Sequence, residues 1–216
     1  MSQVSEAVRE ALLAFDQDKL VETTKKAIEQ GRSPQELLDA ITTALREVGD
    51  KFEKGEFFLA ELVTAGEAAK IVISEYLKPL LKRDGSQSRP IGRIAIGTVA
   101  GDIHDIGKGI VASMLFTTGF EVTDLGVDVP AEKFVETVRN DKPEIVAMSA
   151  LLTTTLPMQR ETIEALKKSQ LRDKVKVIVG GSPVTTEWAQ EIGADGYAED
   201  AVGAVKLVKK ILAISE

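Results

Sequence analysis

Chemistry-bearing residue types gather in three short segments. His104 is the only histidine of the chain and stands in Gly101-Asp102-Ile103-His104-Asp105-Ile106-Gly107-Lys108-Gly109. An imidazole can serve as a base, as a metal ligand or as an ordinary hydrogen-bonding loop residue. Asp102 or Asp105 could hold one ring N–H, as carboxylates beside ligating histidines do. The same residues would equally suit a capped turn with a surface histidine. The second segment, Ser149-Ala150-Leu151-Leu152-Thr153-Thr154-Thr155, is rich in hydroxyls. They fit either a polar ligand or the cap of a following helix. The third, Gly180-Gly181-Ser182-Pro183, pairs two glycines. Such a pair points to a tight turn, an unusual backbone angle or the close approach of something bulky.

Two nucleotide patterns need weighing. Gly101 to Gly107-Lys108 is one residue too long for a phosphate loop, and Gly109 stands where Ser or Thr would ligate magnesium. Gly107-Lys108-Gly109-Ile110-Val111-Ala112 fits G-x-G-x-x-A, with Asp128 about twenty residues on. Its glycines should follow a strand at once, yet an Asp-Ile-His-Asp segment intervenes. A dinucleotide-binding oxidoreductase is therefore a minor alternative.

Composition narrows the field. With no cysteine among 216 residues, a disulfide framework, an iron–sulfur cluster, a thiolate zinc site and a cysteine nucleophile are excluded. One histidine excludes cages that need two, but not a site that needs one. A net charge of −7, evenly spread, argues against nucleic-acid binding. Apolar runs are far shorter than the ~20 residues that span a bilayer. The polar, acidic start does not read as a signal peptide, so the expected location is the cytoplasm.

These segments need elements to position them. Residues 1–81 predict a four-helix bundle: a weaker helix over Val4–Phe15, one around Leu20–Ile28 stopped by Gly31, a third after the Ser33-Pro34 cap, and a fourth from about Phe58 to Leu81. Pro79 should fray or kink the last of these. Residues 82–90 are polar with Gly, Ser and Pro, and read as a flexible linker. From residue 91 to 216 strand and helix patterns alternate. Strands are predicted at Ile91–Val99, Glu121–Val127, Glu144–Ser149, Lys174–Gly180 and Ala194–Ala198. Helices fall at Lys108–Thr118, Ala131–Asp141, Met158–Ser169, Thr185–Ile192 and Asp200–Ala213. The fold class is α/β, with a flavodoxin-like, Rossmann-type five-stranded parallel sheet in the order 2-1-3-4-5. In such sheets ligands bind beyond the carboxyl ends of the strands, where β1 and β3 part, and all three segments fall at strand ends.

The spaced set Asp102-x-His104-x-x-Gly107, Ser149-x-Leu151 and Gly180-Gly181, with the longer run Gly97–Lys108, resembles the base-off, His-on corrinoid-binding domain of methionine synthase and of small methyltransferase corrinoid proteins. Phe52-Glu53-Lys54-Gly55-Glu56-Phe57-Phe58-Leu59 resembles the last helical hairpin of the cap domain in the same proteins. The resemblance implies a cobalamin-type corrinoid, carried in a methylcobalt form. It makes His104 the lower axial ligand of cobalt, Asp102 its carboxylate partner and Thr155 the hydroxyl completing the relay. Gly101, Ile103, Asp105 and Gly107 belong to the same cofactor-binding loop. Ser149 and Thr153 match positions contacting the displaced nucleotide tail. Leu151, Gly180 and Gly181 match positions making room for it, and Ala201 matches a further contact. Phe52 and Leu59 match residues covering the upper face of the corrin. One protein ligand then suffices, because a corrin brings four equatorial nitrogens.

The implied function is a methyl carrier rather than a complete enzyme. It would serve a substrate-specific methyltransferase and a second methyltransferase using tetrahydrofolate or a thiol, with a reductive activation protein repairing stray oxidation. The linker would let the cap move. The donor stays open among methanol, methylamines, betaines and aromatic methyl ethers. A cobalamin-dependent sensor is the alternative, although it should carry a DNA-binding or signalling domain.

Overall fold

The computed structural model describes residues 3–83 and 90–214. The chain divides into two compact units, residues 1–90 with 116–119, and residues 91–115 with 120–216. Residues 84–89 of the expected linker lie outside the described residues.

The first unit is helical: α1 (Gln3–Leu13), α2 (Gln17–Glu29), α3 (Pro34–Glu53) and α4 (Leu59–Val72). α1 packs on α2 and α3, and α4 on α2 and α3. Their apolar stripes bury Val8, Leu12, Leu20, Leu37, Ile41, Leu45, Val48, Leu62 and Val72. The start of α3 follows from sequence. Pro34 takes the first turn, where no N–H is needed, and the Ser33 hydroxyl accepts from the Gln35 and Glu36 N–H groups. α4 departs from expectation. It is not one helix to Leu81, because a π-helical turn at Ile73–Leu77 separates it from the short α5 (Lys78–Arg83). Pro79 cannot donate to the carbonyl four residues back and its ring crowds that position. A widened turn just before it absorbs the conflict.

The second unit is a parallel sheet in the expected order β2-β1-β3-β4-β5. Its strands are β1 (Arg93–Thr98), β2 (Glu121–Asp124), β3 (Ile145–Ser149), β4 (Lys176–Gly180) and β5 (Gly196–Tyr197). The crossovers are α6 (Ile106–Thr118), α7 (Ala131–Asp141), α8 (Leu156–Lys168) and α9 (Thr186–Ile192), and α10 (Ala201–Ile211) closes the chain. Central strands are buried along nearly their whole length, as helices on both faces require. One face sets Ala95, Val99, Val146, Met148, Val177 and Val179 in a common core with Phe134, Val138, Ile163, Leu166, Ala189 and Ile192 of α7, α8 and α9. Gly97 has no side chain because the Phe134 ring occupies that place, 2.9 Å from where a Cβ would stand.

The strands are shorter than their patterns. Ile91 is 38% exposed and precedes β1. β2 ends at Asp124, whose carboxylate turns to the Gly126 N–H and to Lys108. Arg172–Lys174 forms a 3-10 turn before β4. Register aligns Thr98 with Ser149 and Ser149 with Gly180. The ends of β1, β3 and β4, and hence their loops, therefore lie side by side.

Candidate functional site

Past β1 the chain stays tied to its neighbours. The Val99 N–H donates to the Ser149 carbonyl at 3.0 Å, and Val129 pairs with Val99 in an isolated bridge. Gly101 then turns with φ of +77°, an angle that favours glycine. The turn carries Asp102 beneath the surface, where it is fully buried.

Every donor around Asp102 is specific. Oδ1 accepts from the His104 backbone N–H at 3.1 Å and lies 2.7 Å from His104 Nδ1. Oδ2 accepts from the Leu151 N–H at 2.7 Å and the Thr155 hydroxyl at 2.8 Å, with the Leu152 N–H further off at 3.4 Å. Burial alone would push this carboxyl up. The donors from Leu151, His104 and Thr155 outweigh it and hold Asp102 well below the usual carboxylate range. An ionised Asp102 can only accept, so His104 Nδ1 carries the proton and the lone pair of the neutral ring sits on Nε2. The imidazole is fixed from the backbone too, since Thr98 Oγ1 donates to the His104 carbonyl at 2.9 Å. Its side chain remains 47% exposed. The outcome is one oriented nitrogen donor facing outward.

Thr155 begins α8, yet its hydroxyl makes no capping bond to that helix. The hydroxyl lies 2.8 Å from Asp102 Oδ2 and 2.9 Å from the Leu152 carbonyl oxygen, so capping does not account for this threonine. Asp105 plays no comparable part. Its carbonyl accepts from the Gly109 N–H at 2.7 Å and opens α6. The reading of His104 as a bystander on a capped turn thus meets a buried carboxylate devoted to it.

Large apolar side chains are exposed in the loop of His104 and in the loops beside it. Ile103 is 74% and Ile106 79% exposed, and Val127, Leu151 and Leu152 are exposed beside them. These five come from the loops after β1, β2 and β3 or the start of α6. Such a cluster marks a binding surface. Gly107, in the first turn of α6, has nothing within 4 Å of a would-be Cβ and no positive φ. Its own chain does not require a glycine, which costs a helix about 1 kcal/mol.

Gly180 and Gly181 differ in this respect. Gly181 has φ of +125°, and a Cβ there would stand 1.9 Å from the Ala150 carbonyl oxygen. At Gly180 a Cβ would meet the Ala198 carbonyl oxygen at 3.1 Å. The bulky object the glycine pair anticipates is, in the first place, the chain itself. Ser149 is half-buried at the end of β3, Thr153 is exposed in the loop after it, and Ala201 is half-buried at the start of α10. Phe52, half-buried near the end of α3, and Leu59, at the start of α4, belong to the helical unit.

The nucleotide patterns dissolve in the structure. Gly107-Lys108-Gly109 lies within α6, separated from β1 by the Val99–Asp105 loop. Lys108 is buried with Nζ 2.5 Å from both Asp124 oxygens. Asp128 Oδ1 accepts from the Gly101 N–H at 2.7 Å.

Sequence reasoning missed Gln159 altogether. It is fully buried, donates to the Met148 and Gly180 carbonyls at 3.1 and 3.2 Å, and accepts from Trp188 Nε1 at 3.0 Å. It joins the ends of β3 and β4 to α9. Its only signal is a polar residue on the buried face of an amphipathic helix.

Among the described residues no group of three or more His, Cys, Asp or Glu could hold a metal ion. No described helix is long and apolar enough to cross a membrane. A single imidazole nitrogen among exposed apolar side chains fits a metal that arrives with its other ligands already in a macrocycle.

Comparison with known proteins also points to a corrinoid. A family model described as a B12 binding domain matches residues 92–206, and a second of the same description matches residues 4–76. The trimethylamine corrinoid protein of Methanosarcina barkeri is 47% identical over 205 residues, covering 94% of both chains. Trimethylamine corrinoid protein 1 of Methanosarcina acetivorans is 44% identical over the same length and coverage. Among solved structures, the methanol:cobalamin methyltransferase complex MtaBC from Methanosarcina barkeri contains a chain that matches with a TM-score of 0.87 at 30% identity. That match covers 99% of this chain and 81% of that one.

Proposed function

The chain belongs to the B12 binding domain family, and on that premise we propose that it binds a corrinoid through His104 and carries a methyl group between two methyltransferases. The single observation that supports this most is the buried, ionised Asp102 committed to His104 Nδ1, which leaves Nε2 as an outward lone pair. A bound corrinoid would supply a cobalt able to take up and release a methyl group. The residues of the chain do the rest. His104 Nε2 would hold the cobalt. The carboxylate at Nδ1 fixes the tautomer and the orientation in which Nε2 is presented. The Leu151 N–H and the Thr155 hydroxyl keep that carboxylate charged throughout. Ile103, Ile106, Val127, Leu151 and Leu152 exclude water beside the imidazole, and Gly107 gives close approach.

Ser149, Thr153, Gly180, Gly181 and Ala201 are assigned to the displaced nucleotide tail, at the ends of β3, β4 and β5 where a doubly wound sheet places its ligands. Phe52 and Leu59 are assigned as apolar contacts of the same ligand. The chain acts as a carrier subunit, and substrate chemistry belongs to a partner methyltransferase. A second methyltransferase, with tetrahydrofolate or a thiol as acceptor, and a reductive activation protein complete the system. An amine is the first donor to test, because relatives at 44–47% identity are named for trimethylamine.

The experiment is anaerobic loading of the full chain with corrinoid, then assay with purified trimethylamine-, dimethylamine- and methanol-specific methyltransferases. One mole of corrinoid retained per chain, with methylation by an amine methyltransferase, is the expected result. A chain that retains no corrinoid contradicts the proposal.

A further inference from the structure

Asp128 holds a conformation that the local sequence does not explain. Its φ is +51°, in the left-handed region that non-glycine residues seldom enter. Four other non-glycine residues do so among those described: Phe15, Lys142, Gln170 and Ala213. Each lies just beyond the end of α1, α7, α8 or α10, where a left-handed residue commonly closes a helix. Asp128 ends no helix. It sits between β2 and α7, and glycine would serve the backbone angle better. A non-glycine residue kept in this region therefore suggests a use for its side chain.

That use is visible on both sides of the residue. Oδ1 accepts from the Gly101 N–H at 2.7 Å, and the Asp128 N–H donates to the Asp102 carbonyl at 2.9 Å. The stretch carrying Asp128 is itself anchored along β1. The Thr98 N–H donates to the Gly126 carbonyl, and the Val129 N–H donates to the Thr98 carbonyl. The Asp102 N–H is already held by the Val99 carbonyl at 3.2 Å. With Asp128 in place, both backbone polar groups of Asp102 and the amide before it are fixed. The loop after β2 thus holds the loop after β1 at the residue whose carboxylate orients His104.

We infer that Asp128 is a positioning residue for the Asp102–His104 pair: its left-handed turn clamps Gly101 and Asp102 so that the carboxylate meets His104 Nδ1. The inference rests on the proposed reading of His104 as a corrinoid ligand for its consequence, but its geometry is independent of any ligand. Two variants separate backbone from side chain. Asp128→Gly keeps the backbone angle and deletes the acceptor. Asp128→Asn keeps an acceptor oxygen and tolerates the same angle.

The test has two readouts on the full chain. Without corrinoid, on the alkaline side of the ordinary imidazole range, long-range ¹H–¹⁵N correlation of the sole histidine reports which ring nitrogen bears the proton. With cobalt(II) corrinoid bound, paramagnetic resonance reports nitrogen at the axial position. Asp128→Asn is expected to match the parent in both. Asp128→Gly is expected to remain folded by circular dichroism, to lose the single Nδ1–H form in favour of a mixture, and to lose at least half of the histidine-ligated cobalt signal. A folded Asp128→Gly chain with the parent's Nδ1–H population overturns the inference. Failure of the parent itself to show axial histidine nitrogen would contradict the function proposed above, while the ligand-free readout would still decide the role of Asp128.

Discussion

At His104 the ring N–H, the backbone N–H and the carbonyl all have partners, and Nε2 alone remains to act. What sets this up is the charge on Asp102, so tests at this scale belong there. Thr155→Val removes one of the donors to Oδ2. A hydrogen bond to a buried charge is worth about 1.5–3 kcal/mol, and a loss of that order is expected in urea unfolding, with Thr155→Ser close to the parent. Equal losses in both variants would place the effect in methyl packing instead. Asp102 also makes stability depend on pH. Its folded-state pKa lies below the unfolded value, so its contribution is complete above the ordinary carboxylate pKa of about 3.9 and shrinks as pH falls beneath it. The stability gap between the parent and Asp102→Asn is expected to narrow from about pH 5 to about pH 3. A constant gap would show that the carboxylate is not held ionised by the fold.

Glycine is where the element scale corrects the sequence. A Gly-Gly pair after a strand is legible as close approach, but sequence does not say of what. Gly181 faces the Ala150 carbonyl of the neighbouring loop at a positive φ, whereas Gly180 meets only the edge of Ala198. Gly181→Ala is therefore expected to cost about 3 kcal/mol or more and Gly180→Ala about 1 kcal/mol, measured by chemical denaturation. The reverse order would refute the loop-packing account. Gln159 shows the opposite limit: its bonds to Met148, Gly180 and Trp188 connect segments far apart in the chain, which no local period reveals. Gln159→Leu removes a donor from the Met148 and Gly180 carbonyls and the acceptor of the Trp188 indole N–H, so a changed emission of this sole tryptophan is expected. An unchanged spectrum and midpoint would sink that role. The order of the sheet, by contrast, was legible, because alternating strand and helix signals leave a parallel sheet few arrangements. Strand ends were less so. Asp124 and Asp128 stop β2 and redirect its loop through side-chain bonds that composition does not expose.

Over the whole molecule, one histidine and no cysteine look at first like a case against metal chemistry. They fit a chain that adds a single ligand to a macrocycle. The spaced set Asp102-x-His104-x-x-Gly107, Ser149-x-Leu151 and Gly180-Gly181 made the corrinoid family legible, while the tie from Asp128 to Gly101 was not, since it depends on a left-handed residue in another loop. A ligand that binds only the folded state stabilises it by about 2.7 kcal/mol at a hundred times its Kd. Corrinoid loading is accordingly expected to raise the thermal midpoint, and less so in His104→Ala. Equal shifts in the two chains would remove His104 from the binding energy. The most direct measurement uses the uniqueness of this residue. The full chain is prepared with ¹⁴N- or ¹⁵N-histidine, loaded with unlabelled cobalt(II) corrinoid, and examined by electron paramagnetic resonance. The expected result is that the axial nitrogen splitting changes from triplets to doublets with the label, because His104 Nε2 is the donor. Splitting that stays in triplets, or is absent, would contradict the assignment of His104 as the cobalt ligand.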